Sequence, residues 1–152
     1  MDYKEMTAPC GIPCFECGAY KAKSNEVIRK RISVGFGLDY DISYCEGCRN
    51  RKGIGFLSGK NNIFPEGKCL LLNEKGECKI YLCAEEKQIH NCSECYDFPC
   101  DNLQPFGDRG NKIPHNLKIF NLSLIKKMGL ENWAINKSKQ TLDRYYNDKL
   151  DT

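Results

Sequence analysis

The sequence has no apolar run long enough to span a lipid bilayer, and residues 1–10 lack the apolar core that a secretion signal requires. These two absences lead us to expect a cytoplasmic protein that makes no membrane contact. Thiols are kept reduced in the cytoplasm, where clustered cysteines serve as metal ligands or redox groups rather than as disulfides. The sequence therefore favours a metal-binding or thiol-active protein over a secreted, disulfide-linked domain.

The sequence is also poor in the motifs of common catalytic sites. It contains only two histidines, His90 and His115, and neither has an evident nucleophile or carboxylate partner. No Ser/His/Asp pattern, phosphate-binding loop or pair of carboxylates stands out, so hydrolase and kinase chemistry have no support. His90 lies two residues before Cys92 and could ligate a metal, but we interpret it as a surface or capping residue.

The chain has no strong excess of either charge. Its formal net charge is +3, with 15 basic and 16 acidic side chains in residues 1–110 and 8 basic and 4 acidic ones in residues 111–152. Binding to nucleic acid depends on several cations gathered on one face. Only Arg49, Arg51 and Lys52 suggest such a basic edge, so a nucleic-acid partner is a third hypothesis, after the two given below.

Cysteine is the residue that the sequence has in excess, with eleven among 152 residues. All but Cys69 fall in close groups: Cys10, Cys14 and Cys17; Cys45 and Cys48; Cys78 and Cys83; and Cys92, Cys95 and Cys100. Three pairs have the Cys-x2-Cys spacing, in which a tight turn lets both sulfurs face one metal ion. One such pair is a weak signal, but three in a chain of this length predict metal binding.

Glycines accompany two of these turns. Gly18 directly follows the first pair, and we expect it to take a positive φ that lets backbone N–H groups turn toward the sulfurs. Gly47 lies inside the second pair.

The spacing leads us to assign two closed zinc sites, each with four cysteines. The first would use Cys14, Cys17, Cys45 and Cys48, and the second Cys83, Cys92, Cys95 and Cys100. Cys10 and Cys78 remain unassigned: either could replace one of these ligands, or the two could form a reactive pair or bind a further ion. We interpret Cys69 as a small buried side chain.

The first cluster allows an alternative metal centre. Its Cys-x3-Cys-x2-Cys spacing, formed by Cys10, Cys14 and Cys17, resembles the iron–sulfur motif of radical-SAM enzymes, which would imply a [4Fe–4S] cluster. Three features argue against this reading. Glu16 stands where that family usually has an aromatic residue, the chain is short for its partial barrel, and alternating strand–helix units are missing.

The cysteine-rich part of the chain is predicted to be helical and irregular. We expect a helix over residues 19–32, capped near Asn25 and stopped by the segment 35–37, and an irregular connection over residues 38–44. Residues 49–68 read as a long surface loop with a short strand over residues 54–57. A further helix over residues 77–88 would carry Cys78 and Cys83.

The C-terminal part of the chain changes character, with no cysteine beyond Cys100. One helix is predicted to end at Gly129 and to bury an apolar stripe: Leu117, Ile119, Phe120, Leu122, Leu124, Ile125 and Met128. A second, over residues 130–146, would present Trp133, Ile135, Leu142 and Tyr145 or Tyr146 to the core. The predicted fold is a small α+β protein, mainly helical and irregular, in which a metal-binding region, residues 1–110, packs against a helical segment, residues 111–152, in one domain.

The ordered cysteine motifs carry a family resemblance. They are Cys10-Gly-Ile-Pro-Cys14-Phe-Glu-Cys17, Cys45-Glu-Gly-Cys48-Arg, Cys78-x4-Cys83 and Cys92-Ser-Glu-Cys95-Tyr-Asp-Phe-Pro-Cys100, and the segment Gly129-Leu-Glu-Asn-Trp133 adds to them. Together they resemble the cysteine-rich domain of unknown function numbered 3795, and the resemblance covers most of the chain. It implies a zinc-type metalloprotein and supplies no reaction, substrate or partner.

Two hypotheses of function follow from the sequence. In the first, closed zinc sites hold together a binding or adaptor module, and the loop 49–68 or the helical tail contacts a partner protein. In the second, the protein is a metal- or thiol-dependent enzyme or sensor, with Cys10 as the leading reactive thiol because a neighbouring metal ion would lower its pKa.

Overall fold

The computed structural model describes residues 1–54, 76–104 and 115–147, and these ranges form a small, mainly helical fold. Their α-helices are α1 (Gly18–Lys21), α2 (Glu26–Phe36), α3 (Lys79–Glu86), α4 (His115–Met128), α5 (Leu130–Asn136) and α6 (Ser138–Asn147). Within the same ranges, extended pairing is limited to two isolated bridges, Thr7 with Pro13 and Ile54 with Glu77. The β part of the predicted α+β class is therefore reduced to these bridges. None of the described helices is both long enough and apolar enough to cross a membrane.

The helix predicted over residues 19–32 is divided into α1 and α2. Helix α1 ends at Lys21, and Asn25 then adopts an extended conformation that interrupts the helix. The Asn25 side chain accepts a hydrogen bond from the Ile28 N–H at 3.1 Å, which satisfies one of the free donors at the start of α2. Helix α2 continues past the expected stop to Phe36, and Gly37 ends it in the left-handed conformation with φ 64°.

The helix predicted over residues 77–88 is present as α3, which is shorter than predicted. Helix α3 carries Cys83, whereas Cys78 caps its start instead of lying within it. Ile54 begins the stretch predicted as a strand, but residues 55–57 lie outside the described part of the chain. The same is true of Cys69 and of most of the predicted loop.

The C-terminal part contains one more helix than predicted. Helix α4 ends at Gly129 as expected, but the predicted helix 130–146 is interrupted at Lys137, which separates α5 from α6. The Ser138 hydroxyl donates to the Ala134 carbonyl at 2.6 Å. In a continuous helix this carbonyl would accept from the Ser138 N–H, so the side chain takes the place of the backbone donor.

The buried face of α4 also differs from the predicted apolar stripe. Phe120 is 55% exposed, because the face that turns inward includes the polar residues Lys118 and Asn121 along with Leu122. On α5, Ile135 is likewise exposed at 61%. The prediction that Phe120 and Ile135 are buried was therefore wrong. Two polar residues, Lys118 and Asn121, occupy the inner face of α4 instead.

Helix α4 contributes one residue to each of two small apolar clusters. One joins Phe15 to Ile125, Ala134 and the fully buried Trp133, with the Phe15 and Trp133 rings 6.4 Å apart in an edge-to-face arrangement. The other consists of Ile80, Leu103 and Leu122, with cysteine side chains packed around it.

A buried polar contact adds to the packing of α4 on the cysteine-rich part. The Asn121 amide donates to the Gly11 carbonyl at 2.9 Å and accepts from the Thr141 hydroxyl at 3.0 Å. Both side chains are thereby satisfied inside the protein, which removes the cost of burying them.

Candidate metal centre

The first cysteine turn is fixed by its own backbone and by the core. Cys14 begins a 3-10 turn that ends at Glu16, and the Cys17 N–H donates to the Cys14 carbonyl at 3.0 Å. The intervening Phe15 is buried in the apolar cluster with Trp133. This anchor holds the turn against the core and leaves Cys14 buried and Cys17 partly exposed.

The second turn packs directly on the first. The Cys45 N–H donates to the Ala19 carbonyl at 2.8 Å, and Gly47 adopts a φ of 89° against the ring of Tyr20. The Gly47 N–H donates to the Cys45 sulfur at 3.4 Å. Gly18 instead lies in the first turn of α1, without a positive φ, so the role expected of it was wrong and Gly47 is the glycine that turns an N–H toward a sulfur.

The thiols of these two turns influence one another. Burial raises the pKa of Cys14 to about 12; a backbone hydrogen bond from Cys48 acts against this rise, and the charges of Cys17, Cys10 and Cys45 add to it. Burial also raises the pKa of Cys45, with a smaller contribution from Cys17. The four cysteines predicted for the first site are therefore electrostatic neighbours. Burial of Cys14 and Cys45 favours their neutral thiols until a cation offsets the cost of ionising them.

The second cysteine group is built from α3 and two short turns. Asn91 begins the turn Cys92–Glu94, and its side chain accepts hydrogen bonds from both the N–H and the hydroxyl of Ser93, at 2.9 and 2.5 Å. Cys100 precedes a second turn, Asp101–Leu103, whose Leu103 is buried against Ile80 of α3. These contacts bring the two turns against the helix that carries Cys83.

A small cavity lies at the centre of this second group. Its volume is about 20 Å³, enough to admit a water-sized group. The four cysteines predicted for the second site all line it, together with apolar residues and Lys87: Cys83, Cys92, Cys95, Cys100, Ile80, Ala84, Ile89, Phe98 and Leu103. Burial raises the pKa of Cys92 to about 12, with further contributions from the charges of Cys10 and of the three other cysteines of this site.

Lys87 contributes a positive charge at the edge of this cavity. The Lys87 ammonium donates to the Cys95 sulfur at 3.5 Å and forms an ion pair with Asp97. The hydrogen bonds to Asp97 and then to Cys95 raise the pKa of this lysine. A positive group within reach of a sulfur is the arrangement expected where thiolate charge has to be balanced.

The two unassigned cysteines, Cys10 and Cys78, lie between the groups. Both pack against the cluster of Ile80, Leu103 and Leu122. Burial raises the pKa of Cys78, and the charge of Cys10 is the next largest cause. This proximity agrees with the alternative in which the two cysteines form a reactive pair or bind a further ion, which stays a prediction.

The donor set fits a thiophilic metal, although the side chains are not arranged around one. All ten cysteines in the described ranges are free thiols. Across residues 1–54, 76–104 and 115–147, no three side chains of cysteine, histidine, aspartate or glutamate form a group that could hold a metal ion as they stand. Metal binding at either group therefore requires the sulfurs to close around the ion, and the ligand assignments remain predictions.

The basic residues suggested as a nucleic-acid contact are used within the fold. Arg49 donates to the Thr7 carbonyl at 3.3 Å and to the His90 carbonyl at 2.6 Å, so it links three parts of the chain. Arg51 donates to the Ile54 carbonyl at 2.9 Å. Two of the three cations suggested for a nucleic-acid contact therefore form hydrogen bonds within the fold, and the hypothesis of a nucleic-acid partner stays a prediction.

His90 has a structural environment as well. Its Nε2 lies 2.6 Å from the Lys4 carbonyl oxygen and 3.0 Å from the Arg49 guanidinium. Burial, and next the charge of Arg49, lower the pKa of His90. This contact between the histidine ring and the N-terminal segment agrees with a surface or capping role.

Comparison with known proteins places the chain in a family. The model of a family described as "Protein of unknown function (DUF3795)" matches residues 6–105. The match includes every cysteine and ends before the C-terminal helices, so the likeness seen at residues 129–133 lies outside it. No curated protein and no solved structure matches the chain. The chain belongs to the DUF3795 family of proteins of unknown function.

Proposed function

We propose that the chain is a cytoplasmic zinc-binding protein in which thiolate-bound metal stabilises the fold of a binding module. Zinc would be held at both cysteine groups, by Cys14, Cys17, Cys45 and Cys48 in the first and by Cys83, Cys92, Cys95 and Cys100 in the second. When bound, zinc supplies structural cross-links between turns that otherwise share few apolar contacts.

The cavity lined by four cysteines is the observation that carries this proposal. Four thiolates are typical of zinc or of an iron–sulfur cluster. The four cysteines that line it include a Cys-x2-Cys pair, Cys92 and Cys95, which is typical of structural zinc sites, and we therefore favour zinc in the second group.

The sparse apolar packing supports a structural role for the metal. The two apolar clusters of the described ranges contain four and three buried residues. Such small clusters give limited stability to a domain of this size, and metal cross-links are a common means of making up the difference. Closed four-thiolate sites leave no open position for chemistry, which favours a binding module over a metalloenzyme.

Metal analysis of protein purified without oxygen tests the proposal. We expect colourless protein with zinc in stoichiometric amounts and no iron or sulfide. Cys95→Ser should lose the zinc of the second group, whereas Tyr96→Ser, at the fully exposed neighbouring position, should keep it. Brown protein that contains iron and sulfide, or protein without bound metal, would contradict the proposal.

Helix α2 supports the binding role. None of its residues is buried, and it exposes Val27, Val34 and Phe36, the latter two at 76% and 51%. Apolar side chains grouped on one exposed helix are typical of a contact surface for another protein. We expect the double change Val34→Lys and Phe36→Lys to abolish capture of partners by the zinc-loaded protein and to leave its zinc content unchanged. Lys30→Ala on the same helix is the control, and equal capture by all three proteins would contradict this role for α2.

A further inference from the structure

Helix α2 has one side that is exposed along its length. The exposed residues of this side follow the spacing i, i+3, i+4, i+7, so they share one helical face: Val27, Lys30, Arg31 and Val34. The rest of the protein partly covers the residues between them, at positions 28, 29, 32 and 33. The four exposed side chains, which we term the outer stripe of α2, extend over two helical turns, about 10 Å.

The covered side of α2 fixes the direction in which the outer stripe points. The Arg29 guanidinium donates to the carbonyls of Tyr40 at 2.9 Å and of Asp41 at 2.6 Å. It also lies over the rings of Tyr40 and Tyr44, 4.7 and 4.5 Å from their centroids. Because these contacts position the helix in the free protein, a partner that binds the outer stripe would order little of the chain.

The outer stripe combines two cations with two apolar side chains. Val27 and Val34 lie at its ends and are largely exposed, with Lys30 and Arg31 between them. None of the described carboxylates forms an ion pair with either cation. The only carboxylate of α2 is Glu26, in the first turn, where negative charge favours the helix N-terminus. The outer stripe therefore carries positive charge that no carboxylate in the described ranges pairs with.

We propose that the outer stripe of α2 binds an acidic segment of a partner protein, in which carboxylates lie between apolar side chains. The carboxylates would pair with Lys30 and Arg31, and the arginine can hold a carboxylate by two parallel hydrogen bonds. The apolar side chains would cover Val27 and Val34 and remove them from water. The inference rests on the proposed contact role of α2 and names the chemistry of the partner.

The order of side chains in the stripe favours an acidic protein over other occupants. Two copies of this chain that met through the stripe would place cations against cations, which is unfavourable. Helices that lie on membranes keep their cations on the face opposite the inserted apolar side chains, whereas Lys30 and Arg31 lie between the two valines. Binding to nucleic acid by release of counterions depends on more cations than these two.

Selection from a library of peptides of random sequence tests the inference on the zinc-loaded full chain. We expect the selected peptides to carry Asp or Glu flanked by apolar residues, and to bind less tightly as salt screens the ion pairs. Changing both cations, by Lys30→Glu with Arg31→Glu, should weaken binding at least about 10-fold. The control, Lys127→Glu with Lys139→Glu at exposed positions of α4 and α6, changes the net charge equally and should bind as the wild type does.

A second measurement needs no variant of the protein. Selected peptides resynthesised with Asn or Gln in place of Asp or Glu should bind the wild type at least about 10-fold more weakly. The same peptides with Lys at these positions should bind the Lys30→Glu, Arg31→Glu variant more tightly than they bind the wild type. Lys30→Ala alone leaves Arg31 in place and should weaken binding less than about 5-fold, because one exposed ion pair contributes little.

The outcomes separate this inference from the proposed function. Selected peptides that depend on Val34 and Phe36 but carry no acidic residues would overturn the acidic partner and leave the contact role of α2 intact. Selection of no peptide, or of peptides that bind the Val34→Lys, Phe36→Lys variant equally well, would overturn both, while zinc content tests the metal sites separately. Binding through the stripe to vesicles of phosphatidylcholine and phosphatidylserine, or to oligouridylate, with no selection of acidic peptides would also overturn the inference.

Discussion

Gly11 offers the sharpest test of how the cysteine-rich part packs on α4. Its φ of 82° is unfavourable for any residue with a side chain, at a cost of about 1 to 2 kcal/mol. A Cβ atom there would also lie 2.9 Å from Leu122 Cγ and 3.2 Å from the Lys118 carbonyl oxygen. Leu122 is fully buried and cannot move aside freely, so we expect overpacking to cost about 1 to 3 kcal/mol more. Gly11→Ala should therefore lower the free energy of unfolding by about 2 to 5 kcal/mol.

Two other glycines allow the conformational cost and the packing cost of Gly11→Ala to be measured separately. Gly37 has a φ of 64° with open space around it, so Gly37→Ala should cost only the conformational part, about 1 to 2 kcal/mol. Gly18 is helical and also unobstructed, so Gly18→Ala should be neutral or stabilise the protein by about 0.4 to 1 kcal/mol. Urea unfolding of all three variants at one fixed concentration of free zinc gives the comparison, because bound metal contributes to apparent stability. If Gly11→Ala is no less stable than Gly37→Ala, the described contact with Leu122 does not constrain residue 11.

Three further variants test individual contacts, with urea unfolding followed by circular dichroism as the measurement. Asn25→Ala removes the acceptor for the Ile28 N–H and should lower the free energy of unfolding by about 1 kcal/mol. An unchanged free energy of unfolding would mean that this cap does not stabilise α2. Arg49→Gln leaves the His90 carbonyl without its donor, so it should lower the free energy of unfolding by about 1 to 3 kcal/mol. An unchanged urea midpoint would mean that the Arg49 side chain lies in solvent. Among the described residues the buried Trp133 Nε1 has no hydrogen-bond partner, so Trp133→Phe should lower the free energy of unfolding by less than about 1.5 kcal/mol. A decrease as large as the roughly 3 to 5 kcal/mol typical of Trp→Ala would contradict the absence of a partner.

The cysteine pattern predicted the local turns because turn spacing is a local property. Two residues between cysteines dictate a tight turn, and the structure has such turns at Cys14–Glu16 and Cys92–Glu94. The assignment of Cys83 to the second group also agrees with the cavity that it lines together with the three later cysteines. The position of Cys10 beside the apolar cluster was not predictable in the same way, since it depends on contacts with residues as distant as Leu122.

The helices were predicted better than their buried faces. Gly37 and Gly129 end α2 and α4 because they adopt positive φ, a preference that is visible in the residue type itself. The inner face of α4 was assigned from apolar periodicity, which selected Phe120 and passed over Lys118 and Asn121. Hydrophobicity alone could not reveal that the Asn121 side chain has a buried acceptor, the Gly11 carbonyl.

The C-terminal helices complete the cysteine-rich part of this chain even though they lie outside the residues that match the family. Leu122 of α4 closes the cluster around which Cys10, Cys78, Cys92 and Cys100 pack, and Trp133 of α5 covers Phe15. These contacts bury the side chains that position the cysteine turns, so removing the helices would expose apolar surface beside both groups of thiols. Under the proposed function, metal binding and the packing of α4 should therefore reinforce each other: zinc would draw the turns together, and the assembled turns would present Gly11 and the apolar cluster to the helix. In this chain the candidate ligands come from the matched region, and part of the apolar surface that holds them in place comes from beyond it.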